Sequence, residues 1–219
     1  MGMLVPLSYD GSIQRKLAPG DILCNFEPVP PATDTTNTTL SYSAANLLAP
    51  VYVRNPAGVS TDTFPSADAL ISGLSLGLGT TPGVPIGLAF RWKIINLSAN
   101  LLTGAVTANT GATMVRGNVL ASTTKDFLIT ITNGTPVQTI TNLTTVNASA
   151  VVTGFTAAQI AALSVGQIVT NAVANLQGQT IIAVNATALS VTMSGAANAS
   201  ASTNTITFSP TYTITGLAA

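Results

Sequence analysis

The chain has 219 residues, 47% hydrophobic and only 6% charged, with seven Lys plus Arg balanced by seven Asp plus Glu. That balance leaves no basic field of the kind phosphate backbones select, and no apolar run reaches the ~20 residues of a membrane helix. With no His and a single Cys, imidazole catalysis, imidazole metal ligation and an internal disulfide framework are excluded.

Charge is also unevenly placed. Every charged side chain lies at or before Asp126, and residues 127–219 are Thr, Ser, Asn, Ala, Val and Ile broken by Gly. An average soluble domain is about a quarter charged. A surface without charge has little electrostatic protection against association. This half is therefore expected to be covered by copies of itself or by a partner, which describes an assembly component rather than an enzyme.

Residues 1–36 read as an extended N-terminal arm. They lack the basic start, apolar middle and small-residue cleavage site of a signal peptide. Pro6 also stands where a myristoylation motif carries Ser or Thr. The lone Cys24 fits a reducing compartment of origin. Pro28, Pro30 and Pro31 hold the end of the arm extended and forbid a helix. Ile13, Leu17, Ile22, Leu23 and Phe26, with the adjacent cations Arg15 and Lys16 between them, are too apolar for a tail that stays in water. They are expected to lie across a neighbouring subunit and to order on contact.

Residues 37–148 read as a β-sandwich or jelly-roll-like body with one or two short helices. A brief helix is expected over 39–48, ended by Pro50, and a short strand at 51–54. Residues 63–74 give the clearest helix, with Ser66 as cap, Asp68 in the first turn and Gly73 as the stop. From residue 86 the period becomes two. Leu88, Phe90, Trp92 and Ile94 share one face and Arg91 and Lys93 the other, while Phe127, Ile129 and Ile131 repeat the pattern. Shorter strands are expected at 101–107 and 112–120, a spacing that suits an all-β body. Arg91 and Lys93 read as a solvated strand face.

Residues 149–219 read as a charge-free C-terminal β module. Thr156 caps a short helix at 156–163, and strands are expected at 165–169, 179–184, 189–193 and 205–208. A small barrel or sandwich would use them.

The module's sequence resembles a small β module common in bacteriophage virion proteins. Val152, Gly154, Leu163, Val165, Gly166, Val169, Gly178, Ile181, Val184, Ser194, Ala196, Ala197 and Phe208 carry the match, while Gln167 stands where Met is more familiar. Residues 62–71 and 90–96 are similar to phage capsid and decoration proteins. Together the resemblances span roughly residues 39–210. They imply a structural virion protein that decorates the capsid exterior by binding the major capsid protein, as a homotrimer made in the host cytoplasm. A head-fibre or tail protein that binds host surface glycan is the alternative.

Chemistry is sparse. Cys24 has no His to serve as its base, and no cofactor motif appears. The glycine-rich residues 73–79 lack the Lys of a phosphate loop and follow a helix rather than opening one. Asp62 and Asp68 are read as solvated-turn and capping residues, respectively, rather than as a glycosidase-like pair. The seven Asn-x-Ser/Thr sequons reflect composition.

Overall fold

The computed structural model describes residues 32–35, 39–49, 51–78, 83–171, 173–174 and 176–218. The protein is mainly β, with three helices among the described residues. The first sheet has six strands, in the order β1 (Ala32–Asp34), β2 (Val51–Arg54), β4 (Ala89–Asn96), β8 (Thr124–Asn133), β15 (Thr211–Gly216) and β6 (Ala112–Val115). Its central pairs are antiparallel, whereas β1, β2 and β4 run parallel, as do β15 and β6.

Side-chain alternation decides which face of this sheet turns inward. Trp92, Ile94, Phe127, Ile129 and Ile131 are buried, whereas Arg91 is exposed. Register places Trp92 opposite Phe127, and Ile214 between Ile129 and Met114. The inner face is covered by α1 (Ala44–Leu48), α2 (Ala67–Leu78) and a small sheet of β3 (Ser60–Thr63), β5 (Leu102–Ala105) and β7 (Asn118–Val119). Tyr42, Tyr52, Phe64, Trp92 and Phe127 form one contiguous aromatic group, with ring centroids 5.0 to 6.3 Å apart. Each fully buried side chain of this size contributes about 1.5–3 kcal/mol.

Two helix boundaries differ from expectation. The first helix begins at Ala44, because Ser43 and Asn46 form a reciprocal capping box there. The second runs through Gly73 to Leu78 instead of stopping. Gly73 is a packing glycine: a Cβ on it would lie 2.7 Å from the Ala44 Cβ, so its bareness lets the two helices touch. The expected strand at 112–120 is two strands, β6 and β7, parted at Arg116 and Gly117.

A second sheet is inserted between β8 and β15. The chain leaves the first sheet at Asn133 and returns at Thr211, directly opposite it. The six inserted strands lie in the order β11 (Ile168–Val169), β14 (Ala201–Ser209), β9 (Gln138–Thr145), β10 (Val151–Thr153), β13 (Ser190–Met193) and β12 (Ile181–Asn185). Backbone bonds from Ile181 to the Gln167 carbonyl and from Val169 to the Gln179 carbonyl, at 2.8 and 2.9 Å, join its ends. The sheet thereby closes into a small barrel, which leaves no open edge at that seam. The short α3 (Ala157–Ala161), capped by a Thr156–Gln159 box, supplies Ile160 to the barrel core beside Val152, Val191, Met193, Ile206 and Phe208. The strand expected at 165–169 is shorter, because a turn at 165–166 precedes it.

Candidate interaction surfaces

The arm residues Ile13, Arg15, Lys16, Leu17, Ile22, Leu23 and Phe26 lie outside the described residues. Among the described residues no group of three or more His, Cys, Asp or Glu side chains is placed to hold a metal ion. No helix among them is long and apolar enough to cross a membrane.

The strongest electrostatic feature is internal. Arg54, at the end of β2, is fully buried and meets Asp62 of β3 through Nε to Oδ2 at 2.8 Å and Nη2 to Oδ1 at 2.9 Å. Its Nη1 reaches Asp34 Oδ1 at 3.2 Å. The Tyr42 hydroxyl donates to Asp62 Oδ2 at 2.7 Å, Ser60 Oγ donates to Oδ1 at 2.7 Å, and the Leu40 amide reaches Oδ1 at 3.2 Å. Burial, then the neighbouring Asp62 charge, pushes the Tyr42 phenol well above its ordinary value. For Arg54 burial opposes the charge, but its bonds to Asp62 outweigh that and raise its pKa. Asp62 is therefore not a solvated turn residue. It is the centre of a strut joining β2, β3 and the segment that precedes α1, because β2 and β3 bring together an ion pair separated by eight positions. Asp68 lies in the first turn of α2, where Ser66 Oγ accepts from the Ala69 amide at 3.2 Å.

The outer face of the first sheet carries another kind of chemistry. Rows across the strands place Thr113, Thr213, Thr130 and Ala89 side by side, followed by Val115, Thr215, Leu128 and Arg91. Thr132 Oγ1 donates to Thr211 Oγ1 at 2.8 Å. Charge enters at one side, where Lys93 Nζ lies 3.7 Å from Asp126 Oδ1. Both of those side chains stay more than a third exposed, so the pair adds little stability. Apart from Arg91, the rest of these rows carries hydroxyl and aliphatic groups.

The insertion is fastened to this sheet by polar bonds. Asn133, fully buried, donates to Ser164 Oγ and the Val165 carbonyl at 2.8 Å each. Gln167 accepts from the Ser164 amide at 2.9 Å and donates to the Pro136 carbonyl at 3.2 Å. A Met here would form neither bond. Between α2 and the insertion lies a cleft of about 300 Å³, lined by Ser66, Asp68, Asn109, Thr110, Thr207 and Ser209 among others. Tyr42, Tyr52 and Tyr212 are core residues, each no more than 5% exposed.

Sequence reasoning missed the Arg54–Asp62 strut and the Asn133–Gln167 fastening. An Arg closing a β-branched run, with Asp on the next polar run, was the one available sign of the first. No family model, curated protein or solved structure matches the chain.

Proposed function

We propose that the chain is a structural virion protein that decorates a phage capsid by binding the major capsid protein, assembled as a homotrimer. The observation that carries this reading is the outer face of the first sheet. There Thr113, Thr213 and Thr130 lie in register across three strands with no charge among them. Hydroxyls both donate and accept, so such a face can match a partner's backbone or a second hydroxyl surface without desolvating an ion. The sparse chemistry of the sequence and its resemblance to decoration proteins support the same reading. In this reading the arm of residues 1–36 lies on the shell and the body holds neighbouring copies.

Co-sedimentation with purified shells tests it. The full chain is expected to saturate the shell at hundreds of copies per particle. Removing residues 1–36 is expected to abolish attachment and leave the folded body intact. Undiminished attachment of the shortened chain would overturn the arm's role, and failure of the full chain to attach would overturn the reading. The hydroxyl-lined cleft beside Asp68 favours the second reading, a head-fibre or tail protein binding host glycan, which predicts a few to tens of copies per particle and glycan binding in that cleft.

A further inference from the structure

At one end of the first sheet, the turns flanking β7 and the last described residues surround a cleft of about 190 Å³. Arg116, Asn118, Leu120, Lys125, Leu217 and Ala218 contribute to its lining. Two cations therefore share one small cavity. Arg54 has Asp34 and Asp62 as counter-ions and Lys93 has Asp126. Among the described residues no ion pair compensates Arg116 or Lys125.

The backbone is arranged to bring these two together. Arg116 adopts φ 60°, a left-handed conformation unfavourable for a non-glycine residue and often stored at functional positions. Lys125 passes over Gly216, where a Cβ would lie 2.5 Å from Lys125 Cε and would also collide with the Arg116 carbonyl oxygen. The ammonium donates to the Asn118 carbonyl at 2.8 Å and stands 5.8 Å from the centre of the Phe127 ring. Burial and the Arg116 charge hold the Lys125 pKa below its usual value. An anion entering the cleft would offset the Arg116 repulsion and favour the charged ammonium.

We propose that this cleft binds a carboxylate, supplied by an Asp or Glu side chain of a protein partner. The planar guanidinium of Arg116 matches a carboxylate in two-pronged fashion, and Lys125 adds a compact point charge. The exposed Leu120 in the cleft lining supplies the apolar contact typical of protein interfaces. A nucleic-acid strand requires a longer basic track. Arg91, the remaining described cation without an ion pair, projects from the opposite face of the sheet, since it alternates with the inward Trp92. The site is independent of the shell reading.

Titration of the isotope-labelled full chain with glutarate, and separately with inorganic phosphate at equal ionic strength, tests the proposal by amide and lysine NMR shifts. Glutarate is expected to give saturable shifts across residues 116–125 and to raise the Lys125 pKa. Arg116→Gln and Lys125→Met are each expected to weaken binding at least tenfold while Trp92 fluorescence stays native. Phosphate binding as tight as glutarate would overturn the carboxylate assignment. No saturable shift with either anion, or unchanged shifts in both variants, would overturn the site. Binding seen only after the chain end is lengthened by a neutral tail would assign the cleft to the chain's own terminal carboxylate, and overturn the partner. Glutarate binding without shell attachment would leave this site standing and remove the shell reading alone.

Discussion

The guanidinium of Arg54 meets the carboxylate of Asp62 through two parallel hydrogen bonds of 2.8 and 2.9 Å, in a protein with very few other charges. Breaking a buried pair by removing one partner leaves an uncompensated charge and costs about 3–5 kcal/mol. Arg54→Met alone is therefore expected to destabilise by that amount in urea unfolding. Arg54→Met combined with Asp62→Asn removes the stranded Asp62 charge and keeps one acceptor oxygen, for either the Tyr42 hydroxyl or the Leu40 amide. The double variant is expected to recover at least half the loss. A double variant no more stable than the single would show that the cost arises from lost packing rather than from the charge.

Two glycines should respond to alanine in opposite directions. A Cβ on Gly134 would run into the Val84 backbone carbonyl, whereas one on Gly58 would meet nothing within 4 Å. Gly134→Ala is expected to cost about 1–3 kcal/mol through overpacking. Gly58→Ala is expected to be neutral or to stabilise by up to about 1 kcal/mol, by restricting the unfolded chain. Thermal midpoints of the two variants check the contrast.

Alkaline pH should weaken the fold through its buried phenols. Burial raises the phenols of Tyr42 and Tyr212 above the ordinary value of 10.0, and the Tyr212 hydroxyl donates to the Pro65 carbonyl at 2.7 Å. A raised folded pKa stabilises fully below the unfolded value, and that stability is lost as pH rises beyond it. Urea midpoints are expected to hold to about pH 10 and fall above it. Absorbance at 295 nm should show fewer than the chain's four tyrosines ionising before unfolding. Titration of all four in the folded state would contradict the burial argument.

Replacing Gln167 by Met tests the fastening of the insertion. The change leaves the Ser164 amide and the Pro136 carbonyl without their present partner. Each orphaned group costs about 1–3 kcal/mol. The expected result is a lower Tm and faster amide exchange at residues 164–169. Emission from Trp92, the one tryptophan, should stay native because it reports the other core.

What neighbouring residues determine was readable from the sequence alone. Strand period in β4 and β8 depends on which side chains alternate, so the inward set of Trp92, Ile94, Phe127, Ile129 and Ile131 followed directly. The caps at Ser66 and Thr156 likewise depend on bonds three residues away. The mainly β class follows from the same local patterns.

Only the tertiary structure decided which strands are partners. Nothing near residue 211 says that β15 crosses back to β8, because a strand's alternation is indifferent to the sequence distance of its neighbour. The same indifference hid the parallel edge pairs and made the inserted barrel read as a C-terminal module. Arg54 and Gly73 read locally as a strand-end cation and a helix stop. Their buried roles come from Asp62 and Ala44, which chain topology brings against them. Local free energies select the elements, and long-range packing then assigns each residue its surroundings.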